Sequence, residues 1–444
     1  MTTPPVVHPA AQRVTMRDVQ LEAGSLPEVT IAYETFGTLN ADRSNAVLIA
    51  HALTGDSHVS SAGPRPGLGR NAAGPPAGPG AATAAGPGAG RHTAAPFSGS
   101  DAAPPARPDA APPAPSVPGW WEELVGPGRA INTDELFVIC SNVIGGCTGT
   151  TGPSSIAPDG APYGSRFPRI SIRDMARLDL ALLDHLGVRR LHSAVGGSMG
   201  GARMLELALE APERVARLCV LAAPAYSTAD QIAWAHTQLT AITMDPAYCG
   251  GDYRARGTEP RQGLALARQI AHMTYRCASE LNSRFGADTV PAANPAPHPS
   301  GTAPASGGAA SARPAGARQS DAPYYQAESY LDYHGEKLVN RFDAQSYVLL
   351  TEALSGHDVR RGRADALPRA LAGYTGPALV LSIDSDRLYP PAQVEELADA
   401  LPGKVRYAEL TSTAGHDGFL TEHAAVGEQL ERFFAETACR CVAA

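Results

Sequence analysis

The sequence has no long apolar run. None of its hydrophobic stretches approaches the roughly 20 residues that would cross a bilayer as a helix, so no helical span is expected. The opening residues, Met1-Thr2-Thr3-Pro4-Pro5, lack the charged and apolar regions of a secretory signal. A cytoplasmic location is the expectation from these absences. Nor is there a basic stripe: the net charge is −8 at pH 7, which gives nucleic-acid binding no support. Cysteine is sparse and unpatterned. The seven (Cys140, Cys147, Cys219, Cys249, Cys277, Cys439 and Cys441) are scattered, and Cys439-x-Cys441 is too close for an ordinary metal pair. They read as buried or free thiols in a reducing compartment. The histidines lack paired-ligand spacing, so no metal site is expected.

Two segments lack large apolar side chains. One runs from about Ser60 to Val117 and the other from about Ala292 to Ala322, both rich in Ala, Gly and Pro. Such stretches cannot bury enough surface to offset their ordering entropy. The recurrent Pro and Gly argue against a helix, and both read as disordered insertions.

What remains of the 444 residues alternates between strand and helix patterns. Strands are expected at Val29–Phe36, Ala46–Ala50, Leu136–Cys140, Leu191–Val195, Leu218–Leu221, Ala378–Ile383 and Val405–Leu410. Helices are expected at Arg173–Leu186, after Gly201, at Glu395–Ala400 and at Val426–Phe434. That alternation implies an α/β fold: a mainly parallel sheet with helices on both faces. Between Ala229 and Leu354 the strand signal disappears. That block reads as a helical lid over the strand ends, where ligands bind in open α/β sheets. The domain reading is therefore a core at 1–228 (insertion 60–117), a lid at 229–354 (insertion 292–322), and a second core part at 355–444.

Ala194-Val195-Gly196-Gly197-Ser198-Met199-Gly200-Gly201 is the most informative stretch. It holds Gly-x-Ser-x-Gly between an apolar strand and a helix-prone run, the context of a nucleophile elbow in an α/β-hydrolase fold. Glycine neighbours are needed because a Cβ there would clash. Serine at its free pKa is a poor nucleophile; it needs a base, which needs an orienting acid. In this fold acid and base follow the serine, each on a loop after a late strand. Those loops carry Asp386 and His416, so Ser198, Asp386 and His416 form the expected triad. Asp384 is a rival acid, closer to its strand and read as a solvated loop carboxylate. His423 is a rival base, placed instead at a helix start. Developing negative charge on an oxyanion needs two backbone N–H donors. Met199, just after the nucleophile, and Leu53, in the loop His51-Ala52-Leu53-Thr54-Gly55, are the candidates.

These residues carry a family resemblance. His51-Ala52-Leu53-Thr54-Gly55-Asp56-Ser57-His58 resembles the oxyanion loop of homoserine O-acetyltransferases. So do Gly119-Trp120-Trp121, the run Ser141-Asn142-Val143-Ile144-Gly145-Gly146-Cys147, His272-Met273-Thr274-Tyr275 and Arg341-Phe342-Asp343-Ala344-Gln345-Ser346-Tyr347. Gly200-Gly201-Ala202-Arg203 and Ser355-Gly356-His357-Asp358-Val359 resemble the actinobacterial branch. The resemblance covers nearly everything except the insertions and termini. It implies a ping-pong reaction: Ser198 takes an acetyl group from acetyl-CoA, and the γ-hydroxyl of L-homoserine then attacks the acyl-enzyme, giving O-acetyl-L-homoserine for methionine synthesis. By the same resemblance Arg268 pairs with the substrate carboxylate, Asp417 holds its ammonium and Tyr275 helps position the carboxylate. No cofactor is implied beyond acetyl-CoA as donor substrate. The partners implied are the two substrates and a second copy of the chain, as a homodimer formed through the lid helices. Succinyl-using members place an arginine two residues after the catalytic aspartate. Here that position is Leu388, which suits neutral acetyl; Arg387 beside it is expected to point elsewhere. One departure is Met204-Leu205-Glu206-Leu207 after the elbow, where repacking without loss of activity is expected. Alternatives that share the triad are a homoserine or serine O-succinyltransferase and a serine hydrolase; a non-catalytic binding protein would need no triad.

Overall fold

The computed structural model describes residues 11–61, 117–290 and 323–438. Nearly all of both low-complexity segments, and Cys439 and Cys441, lie outside the described residues. Ten strands occur in chain order: β1 (Gln12–Leu21), β2 (Gly24–Phe36), β3 (Ala46–Ala50), β4 (Val125–Gly126), β5 (Ile131–Asn132), β6 (Phe137–Ser141), β7 (Ser193–Gly197), β8 (Leu218–Leu221), β9 (Ala378–Ile383) and β10 (Val405–Leu410). Eight of them form one sheet in the order β1-β2-β6-β3-β7-β8-β9-β10. The β1–β2 and β2–β6 pairs are antiparallel, and every later neighbour is parallel. The expected strands are thus present, with ends shifted by a residue or two at β6 and β7 and with β2 starting five residues earlier, at Gly24. β1 was not anticipated. Its residues Gln12–Leu21 alternate exposed and half-buried at a sheet edge and include Arg13, Arg17 and Asp18, so no apolar run marks it.

The helices are α1 (Ile172–His185), α2 (Met199–Glu210), α3 (Ala229–Thr243), α4 (Tyr253–Arg256), α5 (Arg261–Tyr275), α6 (Ala278–Phe285), α7 (Gln326–Val339), α8 (Ala344–Ser355), α9 (Leu367–Leu371), α10 (Pro391–Ala400), α11 (Gly418–Thr421) and α12 (His423–Ala438). α1 starts at a capping box in which the Ser171 side chain accepts from Asp174 N–H and the Asp174 carboxylate accepts from Ser171 N–H.

Alternation along β3 shows why the sheet is covered on both sides. Leu48 belongs to one apolar cluster with Met175, Leu182 and Met204 of α1 and α2. Val47 and Ile49 belong to a second cluster with Val426, Leu430 and Phe433 of α12. Successive side chains of a strand face opposite sides, so a strand that is apolar throughout needs a helix layer on each. From 229 to 355 the described chain is mostly helical and adds no strand to the sheet, its one isolated β-bridge among the described residues of that span joining Thr289 to Tyr325, and α5 packs against α3 and α7. The departure Met204-Leu205-Glu206-Leu207 lies inside α2, with its three apolar side chains buried. Glu206 is buried too, held by Arg173 at 3.2 Å and Arg363 at 2.8 Å.

Candidate active site

β7 runs into α2 through Ser198, whose backbone sits at φ 57° and ψ −127°. That region is sparsely populated for a residue with a side chain and costs of order 1–3 kcal/mol. The neighbouring glycines make the turn possible. A Cβ on Gly196 would meet the Gly200 carbonyl, and one on Gly200 would meet the Ala50 carbonyl at the end of β3.

β9 delivers Asp386 and β10 delivers His416. His416 Nδ1 is 2.7 Å from Asp386 Oδ2, and His416 Nε2 is 2.8 Å from Ser198 Oγ. An ionised carboxylate can only accept. The proton therefore sits on Nδ1, and Nε2 accepts from the serine hydroxyl. Asp386 Oδ1 is engaged by the N–H groups of Leu388 at 2.8 Å and Tyr389 at 3.0 Å. All three triad residues are buried. Asp384, the rival acid, is exposed and instead accepts from Ser412 N–H at 3.0 Å, tying the two loops together. His423, the rival base, opens α12.

Burial by itself lowers the His416 pKa. The charge and hydrogen bond of Asp386 outweigh it, and the net shift is upward from 6.5. A general base must be neutral, so the acylation rate should rise with pH through a limb above 6.5. In Asp386→Asn burial is opposed only by the charge of Asp417, the smallest of the contributions. The limb should move to lower pH while the plateau falls by about 10⁴-fold, because the wrong imidazole tautomer is favoured. A pH–rate profile with the limb unmoved would remove Asp386 from this role.

The loop after β3 is a turn, with Gly55 N–H donating to Ala52 O at 2.9 Å. The buried His51 ring fixes it: Nδ1 is 2.8 Å from Ala52 O, and Nε2 accepts from Val143 N–H at 3.2 Å. Burial, followed by the charge of Arg203, lowers the His51 pKa to about 3, so the ring is neutral and its tautomer set by those two bonds. Downstream, Glu34 receives Ser57 Oγ at 3.1 Å and His58 Nδ1 at 3.0 Å in a buried cluster. Among the described residues neither Leu53 N–H nor Met199 N–H donates a hydrogen bond.

A cleft of about 430 Å³, open to solvent, lies beside the triad. Its walls include Leu53, Trp234, Gln238, Tyr275, Leu388 and Tyr389. The rings of Tyr275 and Tyr389 stand 5.7 and 5.1 Å from that of His416. Leu388 is held by its backbone, its carbonyl accepting from Gln231 Nε2 at 2.7 Å. Arg387 is not remote from this cleft: its guanidinium carbon lies 5.8 Å from the ring centre of Trp234, a cleft residue. On α5, the Arg268 guanidinium lies 5.4 Å from the Tyr275 ring centre. No carboxylate among the described residues ion-pairs with Arg268. Asp417 is half-buried beside His416, and its Oδ2 lies 3.3 Å from Arg276 Nε. Arg276 was not anticipated. Nothing in its local sequence marks it, because the contact joins a lid helix end to a loop 141 positions on (417 − 276).

The described cysteines Cys140, Cys147, Cys219, Cys249 and Cys277 are free thiols. No helix among the described residues is long and apolar enough to cross a membrane.

A family model described as the alpha/beta hydrolase fold matches residues 111–423. The homoserine O-acetyltransferase of Thermobifida fusca (strain YX) is 46% identical over 414 residues, which is 93% of this chain and 90% of that protein. The chain belongs to the homoserine O-acetyltransferase family. Its relative of the same name in Nocardia farcinica (strain IFM 10152) is 43% identical over 94% of this chain and 90% of its own length. A crystal structure of the Bacillus anthracis homoserine O-acetyltransferase superposes with a TM-score of 0.72 at 22% identity, covering 96% of this chain and 97% of that one, and shows the shared α/β-hydrolase fold. Within this family the Ser198–His416–Asp386 relay can form and break an ester. The elbow puts the nucleophile at the N-terminus of α2, whose positive end favours negative charge developing there.

Proposed function

We propose that this chain transfers an acetyl group from acetyl-CoA to the γ-hydroxyl of L-homoserine, giving O-acetyl-L-homoserine for methionine synthesis. Ser198 Oγ attacks the thioester carbonyl while His416 Nε2 takes its proton. The C–S bond breaks, the proton passes to the CoA sulfur, and Ser198 is left as an acetyl ester. The homoserine hydroxyl then gives its proton to His416 and attacks that ester. Ser198 leaves and recovers the proton. Leu53 and Met199 N–H groups stabilise the tetrahedral oxyanion in each half. Arg268, a planar fork of donors, receives the amino-acid carboxylate, with Tyr275 beside it and Asp417 for the ammonium. This chemistry asks for no cofactor. We place the enzyme in the cytoplasm as a homodimer.

One observation carries the reading: an assembled serine–histidine–aspartate relay stands against Tyr275, a wall of the cleft, and on that same ring lies Arg268, which ion-pairs with no carboxylate among the described residues. Incubation with acetyl-CoA, with and without homoserine, tests it. Homoserine-dependent release of CoA, beyond one equivalent per enzyme, is expected. Fast release indifferent to homoserine would make the chain a hydrolase. Donor choice follows from the cleft wall. Leu388→Arg should shift the kcat/KM ratio toward succinyl-CoA by about tenfold, the scale of one charge-assisted contact. Unchanged donor ratios would show that Leu388 does not face the acyl group.

A further inference from the structure

The turn Ala52–Gly55 has Leu53 and Thr54 as its two central residues, and its own hydrogen bond uses neither of their N–H groups. What sets the tilt of those peptide planes is the rest of the loop's bonding. His51 pins the first peptide from inside the core, through Ala52 O and Val143 N–H. The far side of the turn is held from the lid: Arg341, between α7 and α8, donates from Nη1 to Thr54 O at 2.7 Å. The contact joins residues 287 positions apart, and Thr54 follows directly on Leu53. Arg341 is followed by Phe342, which is buried, and by Asp343, which caps α8 by accepting from Ser346 N–H at 3.0 Å. Its backbone is therefore fixed at the start of a buried helix, and the guanidinium reaches the turn from a rigid base.

We propose that Arg341 is a positioning residue for oxyanion stabilisation. By holding the Thr54 carbonyl it orients the turn so that Leu53 N–H meets the carbonyl oxygen of the acyl group attacked by Ser198. Acylation then depends on a seated lid, since one anchor of the turn, Arg341, belongs to the lid. The inference rests on the triad chemistry proposed above and not on which acceptor takes the acyl group.

The test uses two probes that need the oxyanion donors but no homoserine: butylboronic acid, which forms a tetrahedral adduct on an active serine, and p-nitrophenyl acetate. Arg341→Gln should weaken butylboronic acid inhibition and lower kcat for p-nitrophenyl acetate by about tenfold each, with KM for homoserine in the full reaction changed by less than about twofold, as expected for a donor moved out of line. Arg341→Lys, which keeps a donor on a different reach, should recover part of both. A merely structural arginine would change the thermal midpoint without touching boronate affinity. Unchanged boronate affinity in the Gln variant overturns the proposal. So does a rise in KM for homoserine at constant kcat, which would make Arg341 a substrate-carboxylate partner. If the Gln variant does not fold, the Lys variant decides: boronate affinity equal to the parent's overturns the inference. Should the parent enzyme react with both probes yet fail to acetylate homoserine, the proposed acceptor is wrong while the Arg341 result still stands or falls by itself.

Discussion

Ser198→Ala is expected to lower acetyl transfer by on the order of 10⁴- to 10⁶-fold, the loss seen when a triad nucleophile is removed and only the oxyanion donors and binding remain. The fold should survive. Alanine keeps the Cβ that already sits at the strained φ of 57°, so the backbone demand of the elbow is unchanged. The lost hydroxyl had a single described partner, His416 Nε2 at 2.8 Å, in a site built for reactivity and not for packing. A thermal midpoint equal to or above the parent's is therefore expected. His416→Ala should lose a comparable amount, because the serine without its base is an ordinary alcohol. The double variant should be scarcely worse than either single one, since the two side chains act as a unit. CoA release and the intact mass of the protein after exposure to acetyl-CoA provide the readouts. Transfer by Ser198→Ala within about tenfold of the parent, or losses that multiply in the double variant, would mean that the relay does not carry the reaction.

The relay is legible in the sequence because it is written in short, local patterns. Glycines flank Ser198 at the spacing a tight strand-to-helix turn demands, and the acid and base follow the last two strands in the order the fold prescribes. The choice between Asp384 and Asp386 was also readable, and its geometric reason is now plain: Asp384 spends its carboxylate on Ser412 N–H across to the histidine loop. What the sequence concealed are contacts between distant segments. Arg276 meets Asp417, Arg341 meets Thr54, and the His51 ring joins Ala52 to Val143. None of these has a periodicity or a local spacing, because the residues are brought together only by the tertiary fold. The same applies to β1. Its side chains face water on one side and a thin cover on the other, so the alternation that reveals a strand is weak there. The motif residues Ser57 and His58, which meet Glu34 of β2, show the converse case. With Glu34 they form a buried polar cluster that anchors the loop after β3, a structural task for residues whose pattern pointed only to a family.

Arg203→Met is expected to destabilise the fold by about 3–5 kcal/mol, the usual loss when one partner of a buried ion pair is removed and its counter-charge is stranded. Arg203 stands one turn into α2, only 1% exposed, against Asp179 of α1 at 2%. Its Nε lies 2.5 Å from Asp179 Oδ2, and its Nη2 donates to Ser141 Oγ at 2.6 Å. Ser141 in turn donates to Asp179 Oδ1 at 2.7 Å. The last residue of β6, the middle of α1 and the elbow helix are thus joined at one point, with no described water-facing route for the carboxylate. Methionine matches the length of the stem but offers no donor to Asp179 or Ser141, and Asp179, left with the Ser141 hydroxyl alone, must then stay charged without its cation or take up a proton. The urea midpoint should fall accordingly. Adding Asp179→Leu should recover most of the loss, because a buried pair exchanged for well-packed apolar side chains is often neutral. That recovery separates stranded charge from simple loss of packing, which the second substitution would worsen. A single variant within about 1 kcal/mol of the parent would show that this region relaxes, against the close packing that makes such pairs costly to break.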